Sequence, residues 1–153
     1  MSIAEKLKSL GVELPQPVKP VANYVPWVKS GNLIFISGQL PFVHGKIGCT
    51  GHLGSNASIE QGAAEARQCA INLIVQMRDA CDGDLNKVKR IVKITGFVAS
   101  TTSFADHASV MNGASNFLVD VFGEIGRHAR SSVGMASLPL NTLVEIEAII
   151  EVA

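Results

Sequence analysis

The closing segment, Leu143 to Val152, admits few folds. Val144, Ile146, Ala148, Ile150 and Val152 occupy one phase of a two-residue alternation, and Glu145, Glu147 and Glu151 occupy the other. Successive side chains of an extended chain point to opposite faces, so this segment reads as a strand buried on one side only. Two amphipathic helices are available to cover it. Ser58 with Gln61 forms a capping-box pattern ahead of Ile59, Ala63, Ala66, Ala70, Leu73, Met77 and Ala80, which follow at spacings of four and three. The alanine-rich stripe lets that helix lie close against a sheet, and Asp82-Gly83-Asp84 ends it. Ser103 with Asp106 is the matching cap for a second helix, striped by Phe104, Ala108, Met111, Ser115, Leu118 and Phe122 and stopped near Gly123 and Gly126.

The remaining segments complete a sheet. Ile91 to Ala99 is a β-branched run between the helices, and Ser131 to Ser137 is extended ahead of the closing strand, to which Leu138-Pro139-Leu140-Asn141-Thr142 joins it. Upstream, Tyr24 to Lys29 and Leu33 to Ser37 form a hairpin across Ser30-Gly31-Asn32. The glycine-rich stretch from Phe42 to Asn56 is expected to hold one short strand, around Lys46 to Thr50. The predicted order is β-β-β-α-β-α-β-β, an α+β fold in which two helices cover one face of a mixed sheet. The opposite face has no cover within the chain, and self-association would bury any apolar part of it.

A length of 153 residues fits one domain, spanning 1–153, with residues 1–20 as a short helix (Ile3, Leu7, Leu10) and a proline-rich lead-in. Thirteen basic residues balance thirteen acidic ones, so no global field favours a phosphate backbone and nucleic acid is not indicated. No apolar run approaches a membrane span and no signal-peptide pattern opens the chain, which points to a cytoplasmic protein. Cys49, Cys69 and Cys81 are far apart without Cys-x-x-Cys spacing, and are expected to be buried reduced thiols. A charged fraction of only 17% in so short a chain points to apolar surface covered by another subunit.

The densest local chemistry is Gly126-Arg127-His128-Ala129-Arg130-Ser131-Ser132, two guanidiniums and an imidazole entering a strand. Arginine's planar fork matches a carboxylate bidentately, although residue content alone fits a solvated basic loop better. Glu145 is by position one of three alternating outward carboxylates. Tyr24, the only tyrosine, fits core or interface packing as well as a ligand pocket. Gly38 permits close backbone approach at the end of the first hairpin, before Pro41. The four histidines show no metal-ligand spacing, and no P-loop, dinucleotide or Gly-x-Ser-x-Gly pattern is present.

Ala22-Asn23-Tyr24-Val25, Gly31 to Pro41, Ala129-Arg130-Ser131-Ser132-Val133, Leu138-Pro139 and Val144-Glu145-Ile146-Glu147-Ala148-Ile149 together resemble the Rid/YjgF family, over most of the chain and in the family's order. The resemblance implies a chorismate-mutase-like fold, a homotrimer and three clefts between subunits. It also implies hydrolysis of reactive 2-imino or enamine acids to 2-keto acids and ammonia, without cofactor or metal. Carried over residue by residue, Arg130 grips the substrate carboxylate and Glu145 positions or activates water. Tyr24, Gly38 and Ser132 line the same cleft. Ser132 stands where the family's short type has cysteine, and the lead-in helix, the Phe42 to Asn56 stretch and the Gly-Arg-His-Ala-Arg element mark a related subgroup. His128, with Arg127, is a candidate second anion contact, and Asn112 a candidate contact from the second helix. Arg130 and Glu145 are expected on adjacent antiparallel strands joined by a short loop.

Two other functions compete. One is a non-enzymatic module that binds small carboxylates in the same cleft. The other is a ribonuclease or translation inhibitor, which neutral charge and 5% aromatic content support poorly.

Overall fold

The computed structural model describes residues 1–18 and 22–153. Five strands, β1 (Trp27–Ser30), β2 (Leu33–Gln39), β3 (Val88–Ala99), β4 (Ala129–Met135) and β5 (Val144–Val152), form one sheet in the order β1-β2-β5-β3-β4. Helices α1 (Ile3–Ser9), α2 (Ile59–Ala80) and α3 (His107–Phe122) complete the fold. The β1–β2 hairpin forms as predicted, with Ser30 opposite Leu33 and Gly31 at φ 61°, a left-handed conformation that glycine adopts without penalty.

The alternation in β5 is realised. Val144, Ile146, Ala148, Ile150 and Val152 are buried beneath α2 and α3, with Ile34, Ile94, Leu73 and Met111 in the same core. Among the described residues nothing covers the opposite sheet face, which is partly apolar: Val28, Phe35 and Ile149 form one row across it, and Val133 lies beside Phe97. Val28, Phe35 and Val133 are 53%, 43% and 44% exposed.

The helices pack closely because the contact residues are small. A Cβ on Gly113 of α3 would collide with the backbone carbonyl of Ala63 on α2. Backbone cannot swing aside as a flexible side chain can. Gly113→Ala is therefore expected to force the helices apart, an overpacking cost of ~3 kcal/mol against a helix-propensity gain of ~1 kcal/mol. Thermal unfolding should fall by roughly 4–8 °C for a chain of this size. Gly48→Ala is the control, since the nearest neighbour there is a Glu65 side-chain oxygen at 3.8 Å.

The structure corrects four predictions. No strand forms at Lys46 to Thr50; residues 42–56 make only isolated bridges, such as Val43 with Lys46 and Thr50 with Thr142. Asn72 of α2 holds the start of this stretch by donating to the carbonyls of Leu40 (2.8 Å) and Phe42 (3.0 Å). The second long helix starts at His107 rather than near Ser103, because Ser103 lies in a tight turn in which the Phe104 N–H donates to the Thr101 carbonyl at 3.3 Å; Asp106 takes the N-cap position, and its carboxylate accepts from the Ser109 hydroxyl at 2.6 Å. Tyr24 precedes β1 instead of opening it. The fourth correction concerns the neighbours of β4 and bears on the site. α3 returns the chain parallel to β3, so β4 takes the edge beside β3, and β5 fills the gap between β3 and β2.

The lead-in is integrated. α1 carries a Ser2–Glu5 capping box and buries Leu7, and the Ile3 N–H donates to Asn86 Oδ1 at 3.2 Å. Cys69 and Cys81 are buried free thiols as expected, whereas Cys49 is only half-buried.

Candidate functional site

β4 is an edge strand, and alternation directs Arg130 and Ser132 toward the helical face. Arg130 reaches α3, where Nη1 donates to Asn112 Oδ1 at 3.0 Å and to Ser115 Oγ at 3.1 Å. Two residues upstream, the His128 ring lies between the Gly126 carbonyl, 2.6 Å from Nδ1, and Ser115 Oγ, 2.9 Å from Nε2. Burial lowers the proton affinity of this imidazole; the Gly126 hydrogen bond works the other way, while Arg130 and Arg90 reinforce the depression. A cavity of about 230 Å³, lined by Ser115, Val119, Arg127, His128 and Arg130, opens at this place. The Ser132 hydroxyl is buried without a hydrogen-bond partner among the described residues.

A second group of predicted residues gathers elsewhere. Glu145 faces away from the helices, because its neighbours Val144 and Ile146 fill the core. The β2–β5 pairing is interrupted between Ile36 and Gln39, and there Gly38 approaches Glu145 so closely that a Cβ would collide with the carboxylate. Burial, and secondarily Glu147, raise the Glu145 pKa above its usual range. The thiol of nearby Cys69 is raised well above its usual value, first by burial and then by Glu65 and Glu145, which makes it a poor nucleophile. Tyr24, ahead of β1, is 59% exposed.

The two groups do not meet within one chain. Arg130 is in register with Ile94 and Glu145 with Phe97, so β3 stands between them. Two strand spacings across and three residues along separate their Cα atoms by roughly 14 Å, and their side chains leave opposite faces of the sheet. The expected adjacency of Arg130 and Glu145 is thus overturned. Asn112, His128, Arg130 and Ser132 form one half, and Gly38 with Glu145 forms another, while Tyr24 lies three residues ahead of β1, the strand at the sheet edge opposite β4.

Ser115 escaped the sequence reading. It stands in a helical stripe that looked like core, and its only signal was a hydroxyl at an otherwise apolar position. No group of three or more His, Cys, Asp or Glu side chains among the described residues is placed to hold a metal ion.

A family model described as "YjgF/chorismate mutase-like, putative endoribonuclease" matches residues 4–152. Protein TCP17 of Trypanosoma cruzi is 46% identical over 151 residues, covering 97% of this chain and 93% of that protein. A 2-iminobutanoate/2-iminopropanoate deaminase of Dermatophagoides farinae is 28% identical over 140 residues, covering 91% and 93%. Among solved structures, a protein of unknown function from Agrobacterium tumefaciens superposes with a TM-score of 0.92 at 48% identity, covering 99% of this chain and 94% of that one.

Proposed function

The chain belongs to the YjgF/RidA-like family, and we propose on that premise that it hydrolyses reactive 2-imino acids to 2-keto acids and ammonia in a cleft between subunits. The observation that carries this reading is the state of Arg130. Asn112 and Ser115 hold Nη1, and the remaining N–H donors of the guanidinium have no partner among the described residues. An arginine immobilised on one side and free on the other is prepared to take a carboxylate in a bidentate pair. The similarity to the Dermatophagoides farinae deaminase supports the same substrate class.

In this reading Arg130 anchors the carboxylate and sets the C=N carbon in front of a water molecule. Glu145, supplied by a neighbouring subunit, accepts a proton from that water as its oxygen bonds to carbon. That proton passes to nitrogen, the second water proton follows from the hydroxyl on carbon through Glu145 to nitrogen as the C–N bond breaks, and ammonia leaves behind a carbonyl. Gly38 leaves room for the Glu145 carboxylate, and Tyr24 and Ser132 line the cleft. Assembly from several copies accounts for two observations at once, the separated half-sites and the partly apolar uncovered sheet face. Among the described residues no helix is long and apolar enough to cross a membrane, and three free cysteines suit a reducing, cytoplasmic setting.

The test is the decay of 2-iminopropanoate and 2-iminobutanoate, generated in situ by an amino-acid oxidase and trapped with semicarbazide. The wild type is expected to lower semicarbazone yield in proportion to its concentration, as a species of three times 16.2 kDa by sedimentation equilibrium. A folded protein that leaves semicarbazone yield unchanged across a range of 2-imino acids removes the deaminase reading and favours a carboxylate-binding module. An active monomer removes the shared cleft.

A further inference from the structure

The hydrogen bonds around Arg130 fix one another's direction. A carbonyl only accepts, so the 2.6 Å contact with Gly126 requires the proton of His128 to sit on Nδ1. Nε2 of the neutral ring is then an acceptor, and the Ser115 hydroxyl at 2.9 Å must donate to it. With its proton committed, Ser115 Oγ offers only lone pairs to Arg130, whose Nη1 is 3.1 Å away and can only donate. Asn112 Oδ1 takes the second Nη1 hydrogen. Of five guanidinium donors, three are left: the pair on Nη2 and the one on Nε. Nε–H and the adjacent Nη2–H are parallel, the arrangement that a carboxylate meets side-on.

We propose that Ser115 and His128 are positioning residues that hold the Arg130 guanidinium with its Nε/Nη2 edge presented to a carboxylate, and that protonation of His128 releases it. The inference rests on the reading of Arg130 as the carboxylate anchor. A protonated ring would carry a donor at Nε2. Ser115 could then no longer donate there, and its oxygen would have to serve two donors while its own proton turned elsewhere. The charges facing the ring are cationic: Arg130, two residues further on in β4, and Arg90 of β3, whose Nη2 donates to the Arg127 carbonyl at 2.7 Å. α3 presents Ser115 and Val119 to this cavity. The Arg127 guanidinium is paired at 3.9 Å with the exposed Glu124. Burial and these cations keep His128 neutral at physiological pH, so release occurs only in acid, below the ordinary histidine range.

Two measurements on the assembled protein test this. Nitrogen-15 spectra of the histidine side chains report the tautomer without any substrate. Calorimetric titration with 2-oxobutanoate, from about pH 8 down to about pH 4.5, reports the anchor. The expected results are an Nδ1–H tautomer for His128 and an affinity that falls as pH drops through the His128 titration. Ser115→Ala and His128→Ala weaken binding by about ten- to a hundred-fold at pH 8, the scale of a hydrogen bond to a charged group, and abolish that pH dependence. His128→Gln returns an acceptor to Ser115 without a titrating proton, so it recovers most of the loss and stays flat with pH.

An Nε2–H tautomer overturns the proposal whatever the activity. Variants that bind with wild-type affinity overturn the positioning role and leave the deaminase reading intact. A wild type that shows the Nδ1–H tautomer but binds no 2-keto acid and turns over no imine overturns both.

Discussion

Arg130→Ala is expected to lower kcat/KM for 2-imino acids by about two to four orders of magnitude, because truncating one partner of a desolvated charge pair costs ~3–5 kcal/mol. The loss should fall mostly on KM if the arginine holds the carboxylate equally in ground and transition states. It should extend to kcat if the grip also sets the angle at which water meets the C=N carbon. Arg130→Lys separates charge from geometry. It keeps the cation but not the fork, and it cannot serve Asn112, Ser115 and a carboxylate in one plane, so it is expected to recover only a minor part of the activity. The fold should tolerate both changes, since Arg130 is half-buried on an edge strand and its hydrogen bonds tie it to α3 alone. Steady-state kinetics in the semicarbazide assay, with circular dichroism as the control, check this. Wild-type kinetics for Arg130→Ala would remove the anchor.

Glu145→Gln is expected to lower kcat by at least a hundred-fold, within the range contributed by general acid–base groups, while leaving KM nearly unchanged. The wild type should also lose activity in acid with a midpoint above that of an exposed glutamate, because burial first and Glu147 second raise this carboxyl. The direction follows from the role. A base acts when deprotonated, so activity is present at high pH and declines as pH falls through the raised value. Stability runs the opposite way. A carboxyl whose pKa is higher folded than unfolded favours folding below the unfolded value, and that contribution is lost as pH rises through the folded one. Glu145→Gln should therefore be inactive yet at least as stable as the wild type at neutral pH. A variant that loses stability together with activity would point to a structural role for Glu145.

Elements whose outcome local physics decides were legible in the sequence. Apolar alternation in β5 depends only on the two-residue period of a strand, and the Ser58–Gln61 box on hydrogen bonds within one turn; both appear in the structure. Local signals with competitors misled. The Ser103–Asp106 pattern lost its helix start to a tight turn through Ser103, closed by the Phe104 N–H on the Thr101 carbonyl. The glycines of residues 42–56 allow many paths, and bonds from Asn72 secure the start of the one taken.

Strand neighbours are a further case. A strand's own residues do not say which strand lies beside it, and closeness in sequence wrongly made β4 and β5 partners. The sequence by itself determined a one-sided sheet, its two covering helices, the family, and the residue types of the site. Only the tertiary structure decided that α3 returns β4 to the sheet edge. That single placement brings Arg130 to Ser115 and puts β3 between it and Glu145, whose outward face the alternation of β5 already sets, because strand neighbours follow from long-range pairing that no local window contains.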